Sequence, residues 1–364
     1  MSDQITIKKP FDSHVHLRQG AMLRAVAPIT AAKFASGLIM PNTEPPIETV
    51  AVAEAYRQEI ISACQGDALT NKFEPLMSFY LTRTLKPEEI EKGAAGEGGT
   101  KIYAVKSYPW GATTNSQWGF RNILEAEEQL RAMERVGMPL LLHGEVHLDE
   151  HGEEVDPYYG EDTFLSDVLP RLLEQFPDLK VSLEHISTKE GAEFMEKNGK
   201  EGKLVATLTP HHLMYDRRQV FSGGYHPILH CKPLIMRGKD REALRALAVK
   251  GLPFISAGTD TAPHPENKKF SSCVAFGVFN SPVAVEMYAQ IFDEMSALDK
   301  LEGFLSLNGP KFFGTEPCNE QITLVKKDWQ LTEPVVCEDG TKVWPVGHVK
   351  HGLGNETFHW QVSA

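Results

Sequence analysis

The sequence predicts an α/β protein, a (β/α)8 TIM-type barrel followed by a short C-terminal β-like appendage. Eight short apolar runs alternate with longer amphipathic segments, which is the pattern of repeated βα units. Polar residues recur where the apolar runs end, at the face on which such barrels build their sites. The length of 364 residues also suits one large barrel. A doubly wound open sheet is the alternative, but no GxGxxG motif follows the first run.

The predicted barrel strands are the apolar runs at 11–17, 37–42, 74–81, 100–108, 138–145, 180–186, 203–209 and 252–260. The segments with apolar residues at helical spacing are 50–64, 87–95, 122–137, 162–176, 188–199 and 239–251, with further helices at 282–298 and 300–309. Pro170 is expected to kink or divide one of these helices, because proline removes a backbone donor.

The last part of the chain changes character. Short β-like pieces, QITLVKK, TKVWPV and ETFHWQV, replace the alternation of strands and helices after about residue 320. We therefore expect one domain over 1–364, with the barrel at about 11–315 and an appendage at about 316–364.

Composition excludes several classes of function. The net charge of -12 disfavours nucleic acid and anionic membranes as partners, because both attract basic patches. The five cysteines are odd in number and none forms a CxxC, which indicates a reduced, cytoplasmic protein. The start MSDQITIKKP has no apolar core of a secretory signal, and no apolar run approaches membrane-spanning length.

The stretch FDSHVHLRQG places His14, His16 and Arg18 at alternate positions of the first predicted strand. Side chains two residues apart on a strand share a face, so two imidazoles can bind one metal ion there. An HxH pair alone is weak evidence. A chain of this length with fourteen histidines is expected to contain roughly half an HxH pair by chance, so chance alone could produce this one. Ordinary surface histidines at a strand end are the competing interpretation.

Other predicted strands strengthen the metal hypothesis. Lys106 ends the fourth strand, His143 the fifth, His185 the sixth and Asp260 the eighth. The carboxyl ends of barrel strands converge, so these side chains are expected to meet. For Asp260 alone, a helix N-cap is the simpler interpretation.

Two histidine groups are predicted to lie outside the metal site. His147 and His151 follow in HGEVHLDEH, which is not HExxH, and its acidic, glycine-containing sequence indicates a solvated loop. His211 and His212 are expected to shape the pocket rim, because neighbours on an extended chain point opposite ways and make a poor chelate. Neither GxSxG nor a Walker A motif is present.

Several motifs together resemble one known family. DSHVHLR, IMPNTEPP, VKSYPWGATTNS, LLHGE, LEHIST, CKPLI and GTDTAPH are similar to the dihydroorotase family of the amidohydrolase superfamily. The match is to the shorter type, which lacks a large flanking β-sandwich, and it runs from about residue 11 to 315. Loop differences occur around Trp110 and Gly111 and at 149–161.

The resemblance implies two Zn²⁺ ions per chain. His14, His16 and Asp260 would hold one ion, and His143 and His185 the other. The modified residue Lys106, as N6-carboxylysine, would bridge both ions, because an ammonium cannot bind a cation whereas a CO2-derived carbamate is anionic. The residual positive charge would favour a small anionic substrate.

The implied reaction is reversible hydrolysis of dihydroorotate to N-carbamoyl-aspartate, a step of pyrimidine biosynthesis. Asp260 would be the catalytic proton carrier. Arg18, Asn42 and His264 would hold the substrate carboxylate, although MPNTEPP also fits a plain turn at Asn42. The remaining substrate contacts implied by the resemblance are a mobile lid at Thr113 and Thr114 and the main chain near Lys232 and Phe276. A homodimer is expected from the same resemblance.

Two other functions stay open at this point. A hydantoinase-like cyclic-amide hydrolase would share the metal ligands, but Arg18 and Asn42 argue against it, since a hydantoin has no carboxylate. A non-catalytic paralogue would be expected to lack metal ligands, and here all six positions are filled.

Overall fold

The structure is a computed structural model that describes residues 3–68, 70–348 and 356–363. Its strands are β1 Gln4–Lys8, β2 Phe11–Val15, β3 Ser36–Ile39, β4 Glu74–Tyr80, β5 Ile102–Ser107, β6 Leu140–His143, β7 Val181–Glu184, β8 Leu204–Leu208, β9 Ile255–Ala257, β10 Gln321–Trp329, β11 Val335–Val336, β12 Lys342–Val343 and β13 Phe358–Val362.

The α-helices are α1 Gly20–Lys33, α2 Val50–Cys64, α3 Pro87–Ala95, α4 Glu127–Val136, α5 Gly160–Thr163, α6 Leu169–Gln175, α7 Lys189–Asn198, α8 Pro210–Met214, α9 Arg217–Phe221, α10 Gly238–Ala248, α11 Glu266–Lys269, α12 Ala284–Glu294 and α13 Asn308–Phe313. Short 3₁₀ segments lie at Ser116–Trp118, Ile123–Ala126, Pro227–Leu229 and Leu298–Lys300, and π-helical turns at Phe164–Val168 and Gly303–Leu307. Among the described residues, no helix is both long and apolar enough to cross a membrane.

Parallel strands β2 to β9 form one sheet in chain order, and the predicted (β/α)8 barrel is confirmed. Backbone hydrogen bonds join its two ends. Asp260 N donates to His14 O at 2.9 Å, and His16 N donates to Thr261 O at 3.1 Å. The first strand therefore lies beside the segment that follows the last strand, which brings two distant parts of the sequence together.

All eight predicted barrel strands are confirmed, and α2 and α3 begin and end at the predicted residues. The predicted helix at 162–176 is divided by the π-helical turn, and Pro170 lies in the first turn of α6. Helix α1 and strand β1 were not predicted. Strand β1 carries alternating exposed and buried residues over only five positions, which is too short a pattern to distinguish from a loop.

Apolar side chains fill two layers. The larger one packs the helices against the outer face of the sheet. The other joins β2, β3, β4, β5, β6 and β8 to α13 through Phe11, Leu38, Leu76, Ala104, Leu141, Val205, Phe312 and Phe313. Side chains from so many strands can meet only inside the barrel. Gly309 allows the close approach of α13, since a Cβ there would lie 2.7 Å from Phe11.

The chain ends meet in a separate small sheet. Strand β10 pairs antiparallel with β1 on one side and with β13 on the other. The β-like pieces predicted in the tail are thus confirmed as strands, and β12 pairs with β11. The division into a barrel at about 11–315 and an appendage at about 316–364 within one domain stays a prediction.

Asp12 links the first barrel strand to Thr259 after the last one, so its replacement tests the closure of the barrel. Its buried carboxylate accepts hydrogen bonds from Thr259 N at 2.8 Å, Thr259 Oγ1 at 2.6 Å and His14 N at 3.1 Å. Asp12→Ala should lower the free energy of unfolding by about 2–4 kcal/mol, because buried donors lose their acceptor. Urea denaturation measures this change. Asp178→Ala, at a side chain that is 90% exposed, is the control, and equal midpoints for the two variants would contradict the assignment.

Candidate metal centre

The six predicted ligands lie together at the carboxyl end of the barrel. All are buried: His14, His16, Lys106, His143, His185 and Asp260. The ring centroids of His14 and His185 are 5.1 Å apart, and those of His143 and His185 are 4.6 Å apart. The predicted convergence of these strand ends is therefore present in the structure.

Three ligand atoms form a compact triangle. Asp260 Oδ1 lies 3.3 Å from His14 Nε2 and 3.3 Å from His16 Nε2, and the two nitrogens are 3.4 Å apart. Tetrahedral zinc with bonds of about 2.0–2.1 Å places its ligand atoms about 3.3–3.4 Å apart. These residues fit a zinc ion without rearrangement.

Hydrogen bonds fix which nitrogen of each histidine is free. Glu184 Oε2 accepts from His14 Nδ1 at 2.8 Å, and Asn42 Oδ1 accepts from His16 Nδ1 at 2.9 Å. Each leaves the Nε2 lone pair for a cation. Burial lowers the pKa of both imidazoles, and for His14 the positive charge of Lys106 adds to this effect, so both rings are neutral.

The second ligand pair has a similar support. His143 Nε2 donates to Glu145 Oε2 at 2.6 Å, which leaves His143 Nδ1 free. His185 Nδ1 is buried and has no hydrogen-bond partner among the described residues. Burial lowers the pKa of His143 and of His185, with the charge of Lys106 acting in the same direction. Both rings are therefore available as neutral ligands.

Lys106 is the most unusual residue of the cluster. Its side chain is fully buried, and its Nζ finds no hydrogen-bond partner within the described part of the chain. Burial lowers the pKa of this amine to about 8, against the opposing effect of Glu184 and Asp260. A buried amine without a partner is costly, so the site favours a form of Lys106 that makes further contacts.

Asp260 remains ionised. Burial raises the pKa of its carboxyl group, but His14, His16 and Lys106 together outweigh that effect and leave the pKa at about 2. Its backbone has φ 45°, and that of His185 has φ 44°. Left-handed conformations at such residues cost free energy and concentrate at functional sites.

Arg18 faces the same cavity from beyond the end of β2, with φ 62°. Its Nε donates to Pro263 O at 2.9 Å, and one terminal nitrogen lies 3.1 Å from His264 Nε2. His264 in turn donates to Phe276 O at 2.7 Å. No carboxylate among the described residues pairs with Arg18, so its charge is available to an anionic ligand.

The remaining predicted substrate residues also border this cavity. Asn42, Thr113, Thr114, Lys232 and Phe276 line it. The Thr113 hydroxyl is buried and lacks a partner among the described residues. Lys232 Nζ lies 3.2 Å from Glu145 Oε1, so its side chain is already paired. The cavity measures about 30 Å³, and a second cavity of about 240 Å³ shares His16, Arg18, Asn42 and Thr114 with it.

The other histidines lie elsewhere. His151 is exposed and His147 half-buried, and both border a cleft of about 890 Å³ that also reaches His143 and Glu145. His211 and His212 are buried on α8 and do not line the site cavity, so the expected extended chain and rim position are wrong. Cys231 lies close to both histidines and could complete a metal-binding group with them. However, His212 donates from Nε2 to Pro233 O at 3.1 Å, and its Nδ1 lies 2.7 Å from Thr209 Oγ1. Neither ring nitrogen of His212 therefore has a free lone pair for a metal ion.

Sequence analysis missed the two glutamates that orient the histidines. Glu184 and Glu145 lie next to, or two residues after, a predicted ligand. A signal existed for Glu184, because a charged residue inside the apolar run KVSLEHI needs a buried partner. Asn115 lies within the motif VKSYPWGATTNS, but its loop-like composition gave no signal of the role of this one residue.

Comparisons with known proteins agree with this geometry. The model of the amidohydrolase family matches residues 10–323. A dihydroorotase from Cupriavidus necator is 42% identical over 361 residues, which cover 99% of each chain. The structure of a Saccharomyces cerevisiae dihydroorotase in complex with 5-fluoroorotic acid has a TM-score of 0.88 and 31% identity, covering 100% of this chain and 99% of that one.

A second solved structure gives the same result. The dihydroorotase from Campylobacter jejuni has a TM-score of 0.84 at 32% identity, covering 100% of this chain and 98% of that one. Both sequence identity and coverage extend over essentially the whole length. The chain belongs to the amidohydrolase family and, within that family, to the dihydroorotases.

Proposed function

We propose that the protein catalyses the reversible cyclisation of N-carbamoyl-L-aspartate to L-dihydroorotate in pyrimidine biosynthesis, with two zinc ions and a carboxylated Lys106. The observation that carries the proposal is Lys106 itself, a buried amine among neutral histidines with no partner in the described chain. A neutral amine adds CO2 and releases a proton, which gives an anionic carbamate with two ligand oxygens. Because the carbamate can bind cations, its formation removes the free-energy cost of burying an amine without a partner.

The donor set divides between two ions. His14, His16 and Asp260 would hold one ion, and His143 and His185 the other, with the Lys106 carbamate shared between them. When bound, such ions polarise a carbonyl oxygen and lower the pKa of a water molecule. The chain supplies the surrounding carboxylates Glu184 and Glu145, which hold the imidazoles in the required tautomers.

Asp260 is suited to move the proton. Its low pKa keeps the carboxylate ionised, so it can accept a proton from the attacking water. It then passes that proton to the ring nitrogen that leaves. In the direction of cyclisation the same carboxylate takes the proton from that nitrogen.

Arg18 and its neighbours would bind the substrate carboxylate. Arg18 has no carboxylate partner in the described part of the chain, and Asn42 retains a second Nδ2 hydrogen beyond the one it donates to Thr114 O at 3.0 Å. His264 lies beside Arg18, and the main chain near Lys232 and Phe276 borders the space for the ring. The ligand of the yeast structure, 5-fluoroorotic acid, is itself a ring with a carboxylic acid, which supports this assignment.

The two other functions have less support. A hydantoinase-like activity leaves the unpaired charge of Arg18 unexplained, because a hydantoin has no carboxylate. A non-catalytic role leaves the complete ligand set unexplained. Zinc as the metal in the cell and the homodimer stay proposals that follow from the family, and the cytoplasmic location stays a proposal that follows from the cysteine pattern.

The first prediction concerns Lys106. The purified protein should contain two metal ions per chain and interconvert the two compounds, whereas Lys106→Ala should lose most of both metal and activity. A short carboxylic acid should restore part of the activity, because it supplies the missing anion. Metal analysis beside a turnover assay measures both. Lys106→Arg is the matched variant that keeps a cation and cannot form the carbamate.

The pKa of Lys106 gives this prediction a pH dependence. With a pKa of about 8, the neutral amine is about tenfold more abundant at pH 9 than at pH 7. Metal-free protein given zinc at a fixed concentration of dissolved CO2 should therefore reload faster at the higher pH. Reloading that is independent of pH, or an arginine variant that binds two ions, would argue against the bridging carbamate.

The second prediction concerns Asp260. Asp260→Asn keeps the size of the side chain but loses the proton acceptor, so kcat should fall by about 10²–10⁴-fold with a smaller change in KM. Steady-state kinetics on protein of measured metal content tests this. A variant with two bound ions and near-normal kcat across the pH range would exclude Asp260 from proton transfer.

The third prediction concerns Arg18. Arg18→Met should weaken dihydroorotate use by about 2–5 kcal/mol in kcat/KM while leaving the metal content unchanged. The methyl ester of dihydroorotate lacks the charge, so the wild type should discriminate against it and the variant should not. Arg24→Met, at a half-exposed arginine of α1, is the control. Equal discrimination by wild type and Arg18→Met would reopen the hydantoinase-like function.

A further inference from the structure

The segment 109–120 borders the cavity through Thr113 and Thr114, and the motif VKSYPWGATTNS that contains Asn115 assigned no role to this residue. We propose that Asn115 is a positioning residue that latches this segment to Asn42 and thereby places Thr113 and Thr114 in the cavity wall. Thr113 and Thr114 line this cavity beside Arg18 and Asn42, so the position of the segment sets the shape of the space left for a ligand.

Asn115 makes the first of these ties. Its Nδ2 donates to Asn42 O at 2.9 Å, and its own carbonyl oxygen accepts from Tyr80 Oη at 3.2 Å. The backbone of Asn115 has φ 57°, a left-handed conformation that asparagine tolerates better than most residues. Both the side chain and the main chain of this residue therefore join the segment to the barrel.

The side chain of Asn42 also binds the segment. Asn42 Nδ2 donates to Thr114 O at 3.0 Å, so two hydrogen bonds connect Asn42 with Asn115 and its neighbour. Asn42 Oδ1 at the same time accepts from His16 Nδ1 at 2.9 Å. The segment thus closes onto the residue that also orients a metal ligand.

Internal contacts hold the turn of the segment together. Ser116 Oγ accepts from Thr113 N at 2.9 Å and donates to Thr113 O at 2.7 Å, which fixes the turn between them. Gly111 has φ 75°, and a Cβ on Gly119 would lie 2.2 Å from Tyr108 O, so glycine is needed near both ends. The position of this turn is then set by its contacts with Asn42 and Tyr80.

Hydrogen exchange of the substrate-free protein tests the latch. Asn115→Gly keeps the left-handed backbone accessible and removes the Nδ2 donor, so amides of 109–120 should exchange about fivefold faster after correction for intrinsic rates. Gln117→Gly is the matched control, because it adds a glycine at an exposed position of the same segment. Tyr80→Phe should accelerate exchange in the same direction. Equal exchange in Asn115→Gly and Gln117→Gly would overturn the proposal.

Turnover provides a second readout, which rests on the proposed function. Asn115→Gly should lower kcat/KM for dihydroorotate by about fivefold with the metal content unchanged, and Gln117→Gly should leave it unchanged. Without turnover in the wild type, the proposed function fails, while faster exchange in Asn115→Gly still supports the latch. Normal turnover and normal exchange in Asn115→Gly would exclude Asn115 as the positioning residue.

Discussion

Closure of the barrel is the constraint on which the site depends. The hydrogen bonds from Asp260 N to His14 O and from His16 N to Thr261 O hold the first strand against the segment after the last one. They bring His14 Nε2, His16 Nε2 and Asp260 Oδ1 within 3.4 Å of one another, although about 245 residues separate them in the chain. The apolar layer deeper in the barrel contributes stability without entering the site, so it offsets the cost of burying these polar groups.

A second set of residues determines what the converging groups can do. Glu184, Asn42 and Glu145 each accept a hydrogen bond from one imidazole, so each ring presents its other nitrogen to the centre. Burial keeps the rings neutral and keeps Lys106 close to deprotonation at mildly alkaline pH. Burial of these groups costs free energy in the absence of metal ions. The same burial therefore prepares them to bind cations and CO2.

The sequence predicted the barrel and the convergence of the six candidate ligands, because apolar runs that end in His, Lys or Asp indicate strand ends directly. It predicted side-chain direction less well. Arg18 was assigned to the cavity by strand alternation, but β2 ends at Val15 and a left-handed turn, with φ 62° at Arg18, directs the side chain instead. Glu184 and His185 are neighbours in sequence, so strand alternation would direct their side chains to opposite faces of the sheet. Both nevertheless contribute to the site, because the backbone turns at His185. Local sequence patterns indicate the period of an element and its buried face, whereas turns such as those at Arg18 and His185 are set by tertiary contacts.

Asn42 illustrates what the sequence could not show. As the residue after a strand in MPNTEPP, it has a sufficient explanation as a turn former. In the structure its amide instead uses one acceptor for His16 and one donor for Thr114, and keeps a second donor for a ligand. Aspartate in this position would turn an acceptor toward the Thr114 carbonyl, and glutamine would shift both contacts by one methylene. Only asparagine meets the three demands together, so the residue type follows from its place between the metal ligand, the covering segment and the cavity.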